Sequence, residues 1–287
     1  MEYQADLFES AVARRELDEL FEQSRLYKSS SEYLELLQFV GRLRQFAPFN
    51  AMLLQVQKPG LTHAATSKEW AAYGRFIKQH ARPLIILWPF GPVSLVYDIQ
   101  DTEGDSLPEG VFCFEATGEI SEEQLQRYVF RLKDKNIETE WFDGGDASAG
   151  SIQLMTRSPG KLPGSRPGKP PPHKYCISLN SNHTLSSQFS TLAHELGHLF
   201  LGHLGEDPGL DIRARRSLTH REVELEAESV AFVVSKRLGV DCRSHTYLAN
   251  YVRENTDIDS IDIYLVMRAV SLIESTLALS ATTGKRR

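Results

Sequence analysis

Apolar residues recur at spacings of three and four in several parts of the chain, and this pattern predicts helices with one buried face. Two such stripes lie in residues 1–47, and they consist of Leu17, Leu20 and Phe21, followed by Tyr33, Leu36, Leu37 and Val40. Residues 1–47 are therefore predicted to be largely helical. Pro48 ends this pattern.

Three pairs of residues mark the starts of further helices. A Ser or Thr followed three residues later by Glu or Gln forms a capping box, in which each side chain accepts a hydrogen bond from the other residue's backbone N–H. The pairs are Thr66 with Glu69, Ser121 with Gln124, and Thr219 with Glu222. They predict helices over residues 66–79, 121–135 and 219–238, the last of which is followed by Gly239, a residue suited to a helix end.

Runs rich in β-branched and aromatic residues predict short strands between these helices. They cover residues 83–88, 93–99, 110–115, 137–142, 151–156 and 174–179. Residues 158–173 are rich in Pro, Gly and basic side chains and predict an irregular loop. A substrate-contacting arm and a solvated insertion without a role are both open interpretations of that loop. Helices and strands in this order predict an α+β fold.

The candidate chemistry lies in His194-Glu195-Leu196-Gly197-His198, within a stretch whose apolar residues predict a helix. Two histidines four residues apart stand on one face of a helix, close enough to share one metal ion. Glu195 would lie beside the ion, where it can take a proton from water. Neutral imidazoles suit Zn²⁺, and a catalytic zinc site has three protein ligands and one open position. The competing interpretation is a surface helix with two titrating histidines, and the helical setting together with downstream acids favours zinc.

One candidate for the third ligand is His203. The longer pattern HExxHxxGxxH requires histidine at a position that Leu204 occupies in this chain. In a continued helix, His203 would point about 180° away from His194. We therefore expect His203 to be a helix-end residue or one that supports a ligand.

The other candidates are glutamates of the predicted helix over residues 219–238. This helix carries Glu222, Glu224, Glu226 and Glu228. Glu224 and Glu228 stand one turn apart and flank Ala227, whose small side chain allows close approach to the first helix. Their spacing does not separate them as ligands. At least two of the four glutamates are expected to form a solvated face.

Two segments resemble the ImmA/IrrE metallopeptidases. The first comprises residues 175–180 (YCISLN) and 190–203 (STLAHELGHLFLGH), and the second, residues 224–231 (ELEAESVA), fits the family pattern E-x-x-A-[N/E]-x-x-A. The resemblance spans residues 120–240 and implies that Glu224 is the third ligand. Where the family often closes this helix with Leu-Met-Pro, this chain has residues 235–239 (SKRLG), so the cleft wall beyond the helix is expected to differ.

The part before this region resembles the N-terminal domain of ArdC-type antirestriction proteins. The resemblance is carried by residues 46–54 (FAPFNAMLL), 65–70 (ATSKEW) and 74–75, and by residues 247–251 (YLANY) near the C-terminus. It implies that residues 40–100 bind single-stranded DNA, which requires a positive groove and exposed aromatic faces. The candidate charges are Arg75, Lys78 and Arg82, and the candidate platforms are Phe46, Phe49, Trp70, Tyr73 and Phe76. For Trp70 and Tyr73, which share a stripe with Ile77, core packing is the prediction.

Composition and charge place limits on these interpretations. The net charge of −6 argues weakly against a nucleic-acid partner, but residues 40–99 hold seven basic and only two acidic side chains. The three cysteines, Cys113, Cys176 and Cys242, are too far apart to predict a disulfide framework or a Cys-rich zinc module. The polar N-terminus predicts no signal peptide, and no apolar run is long enough to cross a bilayer, so a cytoplasmic location is expected.

Together these patterns predict an N-terminal helical segment at residues 1–39, a small ArdC-like α/β module at 40–117, and a zincin-like metallopeptidase domain at 118–287. The predicted function is zinc-dependent limited proteolysis of a regulatory or DNA-associated protein, directed by single-stranded DNA. The alternative is an ArdC-type DNA-binding protein in which zinc is structural. Expected partners are a protein substrate and single-stranded DNA, without a membrane. Tyr247 and His220 are the candidates for stabilising the oxyanion.

Overall fold

The computed structural model describes residues 29–88, 91–107, 118–145, 148–157, 170–215, 217–240 and 261–279. The predicted helix in residues 1–28, the predicted strand at 110–115, Tyr247 and most of the predicted loop at 158–173 lie outside these residues. Within them, two helices and two small sheets come first and a further sheet with several helices follows, so the prediction of a mixed α+β fold is confirmed.

Two helices open the described part of the chain. Helix α1, Ser30–Arg42, is capped by a box in which Ser29 and Glu32 accept hydrogen bonds from each other's backbone, and its predicted apolar stripe is buried. Helix α2, Pro48–Gln57, has proline in its first turn. Proline is tolerated there because the first N–H groups of a helix have no partner within the helix. Pro48 therefore separates two helices, and the sequence pattern did not predict the second.

Short strands follow in two small antiparallel sheets. The first contains β1 (Ala64–Ala65), β3 (Leu84–Trp88) and β4 (Gly91–Asp98) in the order β1-β4-β3. The second pairs β2 (Arg75–Ile77) with β5 (Thr102–Gly104).

The helix predicted over residues 66–79 is wrong in its second half. Helix α3 covers only Ser67–Ala72, because Gly74 adopts a φ of 68° and turns the chain into β2. Trp70 is buried and its Nε1 atom donates to the Tyr97 carbonyl at 2.8 Å, as predicted for a core residue. Tyr73 is 37% exposed, so the core prediction for that residue is wrong.

A three-stranded sheet precedes the helix of the two histidines. After helix α4, Glu122–Leu132, come β6 (Ile137–Phe142), β7 (Gly150–Thr156) and β8 (Lys174–Asn180). Their order is β6-β8-β7, in which β6 runs parallel and β7 antiparallel to β8. Strand β7 therefore lies at one edge of this sheet.

Three long helices complete the described structure. They are α5 (Leu185–Phe200), α6 (His220–Leu238) and α7 (Ile263–Leu277). Helix α6 packs against α1, α5 and α7, and buried apolar side chains from these helices and the sheets form one core cluster. The helices of the described ranges all lack either the length or the apolar character that a bilayer span requires.

Arg237 of α6 connects this helix to α1 and α7. Its guanidinium donates to the carbonyls of Val40, Leu43 and Phe46 at 3.1, 3.3 and 3.0 Å, and to the Glu274 carboxylate of α7 at 2.6 Å. Helix α6 thereby supplies donors to carbonyls in the last turn of α1 and in the segment that follows it. The division into units at 1–39, 40–117 and 118–287 stays a prediction.

Candidate metal centre

Helix α5 places both histidines at its C-terminal half. Their i, i+4 spacing brings the Nε2 atom of His194 to 3.0 Å from the Nε2 atom of His198. Apolar residues of the same helix, including Leu192, Leu196 and Leu199, are buried in the core and fix its rotation. The two imidazoles therefore lie together on the helix face that is turned away from the core.

Helix α6 supplies the third group. The carboxylate oxygens of Glu224 lie 3.5 Å from the Nε2 atom of His194 and 3.7 Å from that of His198. The helices approach closely because Gly197 has no side chain, since a Cβ atom there would lie 3.3 Å from the Ala227 carbonyl oxygen. Potential ligand atoms of the three residues all lie within 4.8 Å of one another.

The donor set fits a divalent transition metal. Two imidazole nitrogens and one carboxylate aimed at the same point are the ligands that zinc commonly uses in catalytic sites. At 3.0 Å the two Nε2 atoms repel unless a proton or a cation lies between their lone pairs. His194, His198 and Glu224 would hold such an ion.

Glu228 occupies a different position from Glu224. Its Oε1 atom lies 3.6 Å from the Nδ1 atom of His194, the ring nitrogen that does not face His198. Sequence spacing left Glu224 and Glu228 equivalent, whereas the structure brings only Glu224 together with both Nε2 atoms. The expectation that at least two glutamates of this helix form a solvated face is wrong, because Glu226 is fully buried and both Glu224 and Glu228 are largely covered.

Glu195 lies within electrostatic range of His194, Glu224 and Glu228 and is hydrogen-bonded to the edge strand β7. It is 8% exposed, and the backbone N–H of Ile152 in β7 donates to its carboxylate. Burial raises the pKa of the Glu195 carboxyl, and the nearby Glu224 carboxylate acts in the same direction. Helix α5 can lie this close to β7 because position 150 is glycine, where a Cβ atom would lie 2.6 Å from the Thr191 Cγ2 atom.

The remaining pKa shifts follow from burial and from the surrounding charges. Burial, followed by the charge of His194, lowers the pKa of His198 to about 4, so this imidazole is neutral at pH 7. Burial opposes protonation of His194, but the Glu224 and Glu228 carboxylates outweigh it and raise its pKa. The hydrogen bond with His194 lowers the pKa of Glu224, which is therefore a carboxylate at neutral pH.

Two other predicted residues lie near the cluster. His203 follows the end of α5, and its Nδ1 atom lies 2.9 Å from the Nδ1 atom of His198. It therefore contacts a candidate ligand but does not share the Nε2 side of the site. His220, a candidate for oxyanion stabilisation, is mostly exposed, with its Nδ1 atom 3.7 Å from a Glu224 oxygen.

The three basic residues predicted for DNA binding belong to β2 and the segment after it. Arg75 donates to Thr102 and to the Asp105 carbonyl, and Lys78 donates to the Gln100 carbonyl. Arg82 is exposed. Phe76, between the first two, is 63% exposed. The metal cluster contains none of these residues.

Comparison with solved structures finds a likeness that covers 80% of this chain. The chain resembles crystal structures of the antirestriction ArdC protein from the R388 plasmid. For the metal-free structure, identity is 13% and TM-score 0.38, with 80% of this chain and 82% of that chain covered. For the Mn(II)-bound structure, identity is 16% and TM-score 0.41, with the same coverage of 80% and 82%. No curated protein matches this chain.

The family comparison concerns a shorter segment. Residues 148–235 match the Peptidase M78 family model, which describes the IrrE N-terminal-like domain. The matched range begins just before β7 and ends within α6, so it includes His194, Glu195, His198 and Glu224. This part of the chain is similar to the IrrE N-terminal-like domain.

Proposed function

We propose that this chain is a zinc-dependent metallopeptidase in which His194, His198 and Glu224 hold the ion. The observation that supports this most directly is the convergence of three ligand atoms beside the buried carboxylate of Glu195, within a peptidase-family domain. A structural zinc site is usually closed by four protein ligands, whereas the described residues offer three in this cluster. That donor count favours a catalytic site.

In the proposed reaction, a bound zinc ion would supply a Lewis acid that polarises a carbonyl and makes water more acidic. The Glu195 carboxylate accepts the proton that water loses as it attacks the carbonyl carbon of a peptide bond. The same carboxyl group then donates this proton to the leaving amine nitrogen. A carboxyl whose pKa is raised by burial suits both steps, because it binds a proton more strongly than an exposed carboxylate does.

We further propose that the substrate is a regulatory or DNA-associated protein, cut at one or a few positions. The basic surface formed by Arg75, Lys78 and Arg82 supports this substrate class, because it favours partners that are themselves bound to nucleic acid. The exposed ring of Phe76 beside it offers a stacking face.

Glu195→Gln tests the peptidase proposal. This variant keeps the size of the side chain but cannot accept the proton, so it is expected to bind zinc like the wild-type protein and to cleave nothing. Zinc content is measured by elemental mass spectrometry. Cleavage is measured as new N-termini after incubation with a peptide library and with a cell lysate. A Glu195→Gln protein that still cleaves would contradict the role of Glu195, and a zinc-loaded wild type without cleavage would contradict the peptidase proposal.

The second candidate function is that of a single-stranded DNA-binding protein with a structural metal site. The observation that favours it is the exposure of Phe76 between two basic residues whose nearest partners are neutral oxygens. Such a surface combines a stacking face with charge available to phosphates.

Anisotropy of a labelled single-stranded oligonucleotide, titrated across a salt series, tests this candidate. The triple variant Arg75→Ala, Lys78→Ala, Arg82→Ala is expected to weaken binding and to reduce its salt dependence. The matched control replaces three other exposed basic residues by alanine. They are Arg127 and Arg131 in α4 and Lys135, which follows that helix. Equal losses in both triple variants would indicate only a general charge effect, and no binding by the wild-type protein at low salt would exclude this function.

A further inference from the structure

Three side chains, of which two are buried, form a hydrogen-bonded series that starts at the Nδ1 atom of His198. The Nδ1 atom of His198 lies 2.9 Å from the Nδ1 atom of His203, and the Nε2 atom of His203 lies 3.0 Å from Oε2 of Glu226. The side chains of His203 and Glu226 are 4% and 0% exposed. Arg215 is the last member of this series, and its guanidinium donates to both carboxylate oxygens of Glu226 at 2.5 and 3.0 Å.

Arg215, at one end of this hydrogen-bonded series, determines where the protons of His203 and His198 lie. A guanidinium remains charged, so its two-point contact fixes Glu226 as a carboxylate, which can only accept hydrogen bonds. The Nε2 atom of His203 must then carry a proton, which in the neutral imidazole leaves a lone pair on its Nδ1 atom. His198 has to donate to that lone pair from Nδ1, so its own lone pair lies on Nε2.

This tautomer is the one that the metal site needs. The Nε2 atom of His198 is the atom that lies 3.0 Å from Nε2 of His194 and 3.7 Å from a Glu224 oxygen. Without the contact to His203, an imidazole can place its single proton on either nitrogen and rotate about its side-chain bonds. The hydrogen bond at Nδ1 removes both freedoms.

Glu226 is itself fixed by more than one element. The backbone N–H of Asp262, the residue that caps α7, donates to its Oε1 atom at 3.3 Å. Arg215 also donates to the Leu201 carbonyl at the end of α5, at 3.3 Å. The orientation of the His203 ring is therefore set by groups at α5, α6 and α7 together, and it does not depend on one flexible side chain.

We propose that His203 and Glu226 are positioning residues that hold His198 in the tautomer and orientation in which Nε2 receives the metal. The inference rests on the metal site of the proposed function, but it concerns metal affinity and is independent of any substrate. Hydrogen-bonded partners of metal-binding histidines contribute about 10–100-fold to metal affinity.

Two substitutions of His203 separate positioning from packing. In His203→Gln, the amide oxygen can accept from His198 and the amide nitrogen can donate to Glu226. In His203→Phe, a ring of similar size remains but neither hydrogen bond can form. Val234→Ala, at a buried residue two turns after Glu226 in α6, serves as a control for loss of stability alone.

The affinity of the metal-free proteins for zinc is measured by competition with a chromophoric chelator. We expect His203→Phe to bind zinc about 10–100-fold more weakly than the wild type, and His203→Gln and Val234→Ala to remain close to it. Unchanged affinity in His203→Phe would overturn the inference, as would equally weak binding by His203→Gln and His203→Phe. If the wild-type protein binds no zinc, the metal site of the proposed function has failed instead.

A measurement on the zinc-loaded wild-type protein keeps the inference testable if His203→Phe does not fold. Long-range ¹H–¹⁵N correlation spectra report which imidazole nitrogen carries the proton. We expect neutral His203 with its proton on Nε2 and a lone pair on Nδ1. A proton on Nδ1 of His203 would overturn the inference, because that atom could not accept from His198.

Discussion

The glutamates of helix α6 show how position on a helix assigns different chemistry to the same side chain. Residues four apart share a face, so Glu224 and Glu228 lie on the side of His194, whereas Glu222 and Glu226 lie on another. Glu222 completes the capping box of the helix, and Glu226 accepts from His203 and Arg215. Glu224 faces both Nε2 atoms, and Glu228 approaches only the Nδ1 atom of His194.

These positions predict different effects for two alanine substitutions. Glu224→Ala removes the carboxylate that faces both Nε2 atoms, so we expect it to lose bound zinc. Glu228→Ala removes a carboxylate beside the Nδ1 atom of His194, so we expect this variant to keep zinc with its affinity lowered by about tenfold. Zinc content after gel filtration and the affinity from chelator competition measure both effects.

Glu222→Ala is the matched control, because it removes a glutamate of the same helix that completes the capping box and lies outside the metal cluster. It is expected to lower stability by about 1 kcal/mol without loss of zinc. Retention of zinc by Glu224→Ala together with its loss in Glu228→Ala would reverse the assignment of the third ligand.

At the scale of elements, Arg237 connects the helix that carries Glu224 to the N-terminal part of the chain. Its side chain is 3% exposed, and it satisfies three carbonyls at and after the end of α1 as well as the Glu274 carboxylate of α7. Buried charges of this kind become costly when one partner is removed, because the other groups are left without water or hydrogen bonds.

Arg237→Met is therefore expected to lower the free energy of unfolding by about 3–5 kcal/mol. Methionine keeps much of the apolar volume, so the loss of stability measures the contribution of the hydrogen bonds and the ion pair of Arg237. Urea denaturation followed by circular dichroism measures it. Arg131→Met, at an exposed arginine of α4, is the control and should change stability by less than about 0.5 kcal/mol. Equal stability of the two variants would mean that the contacts of Arg237 contribute little.

At the scale of the whole molecule, the candidate metal centre joins two elements that are distant in sequence. Helix α5 supplies His194 and His198, and α6 supplies Glu224, so an ion held by all three binds the folded chain and not the unfolded one. A ligand of this kind stabilises the fold by an amount that depends on its free concentration.

Zinc is accordingly expected to raise the free energy of unfolding by about 2.7 kcal/mol when its free concentration is 100 times the dissociation constant. Thermal denaturation with buffered zinc and with a chelator measures the shift. The double variant His194→Ala, His198→Ala should show no response, whereas His63→Ala, at a histidine of the N-terminal part, should respond like the wild type. A response of the double variant equal to that of the wild type would place the zinc elsewhere.

The sequence by itself determined much of the local structure. Capping boxes at Thr66, Ser121 and Thr219 and the strands near 137–142, 151–156 and 174–180 follow from short-range hydrogen bonding and side-chain alternation, which act within a few residues. The i, i+4 spacing of His194 and His198 is likewise fixed by helix geometry alone. Helix α3 ended early because the left-handed conformation of Gly74 and the pairing of β2 with β5 outweighed an apolar stripe.

Only the tertiary structure decided which groups meet across elements. Spacing along α6 could not distinguish Glu224 from Glu228 or show that Glu226 is buried, because the rotation of α6 is set by its packing against α1, α5 and α7. The contact of His203 with His198 likewise depends on the chain leaving its helix at Phe200, and its contact with Glu226 depends on the neighbouring helix. Sequence patterns report hydrogen bonds and burial over a few residues, whereas these contacts are set by how whole helices pack.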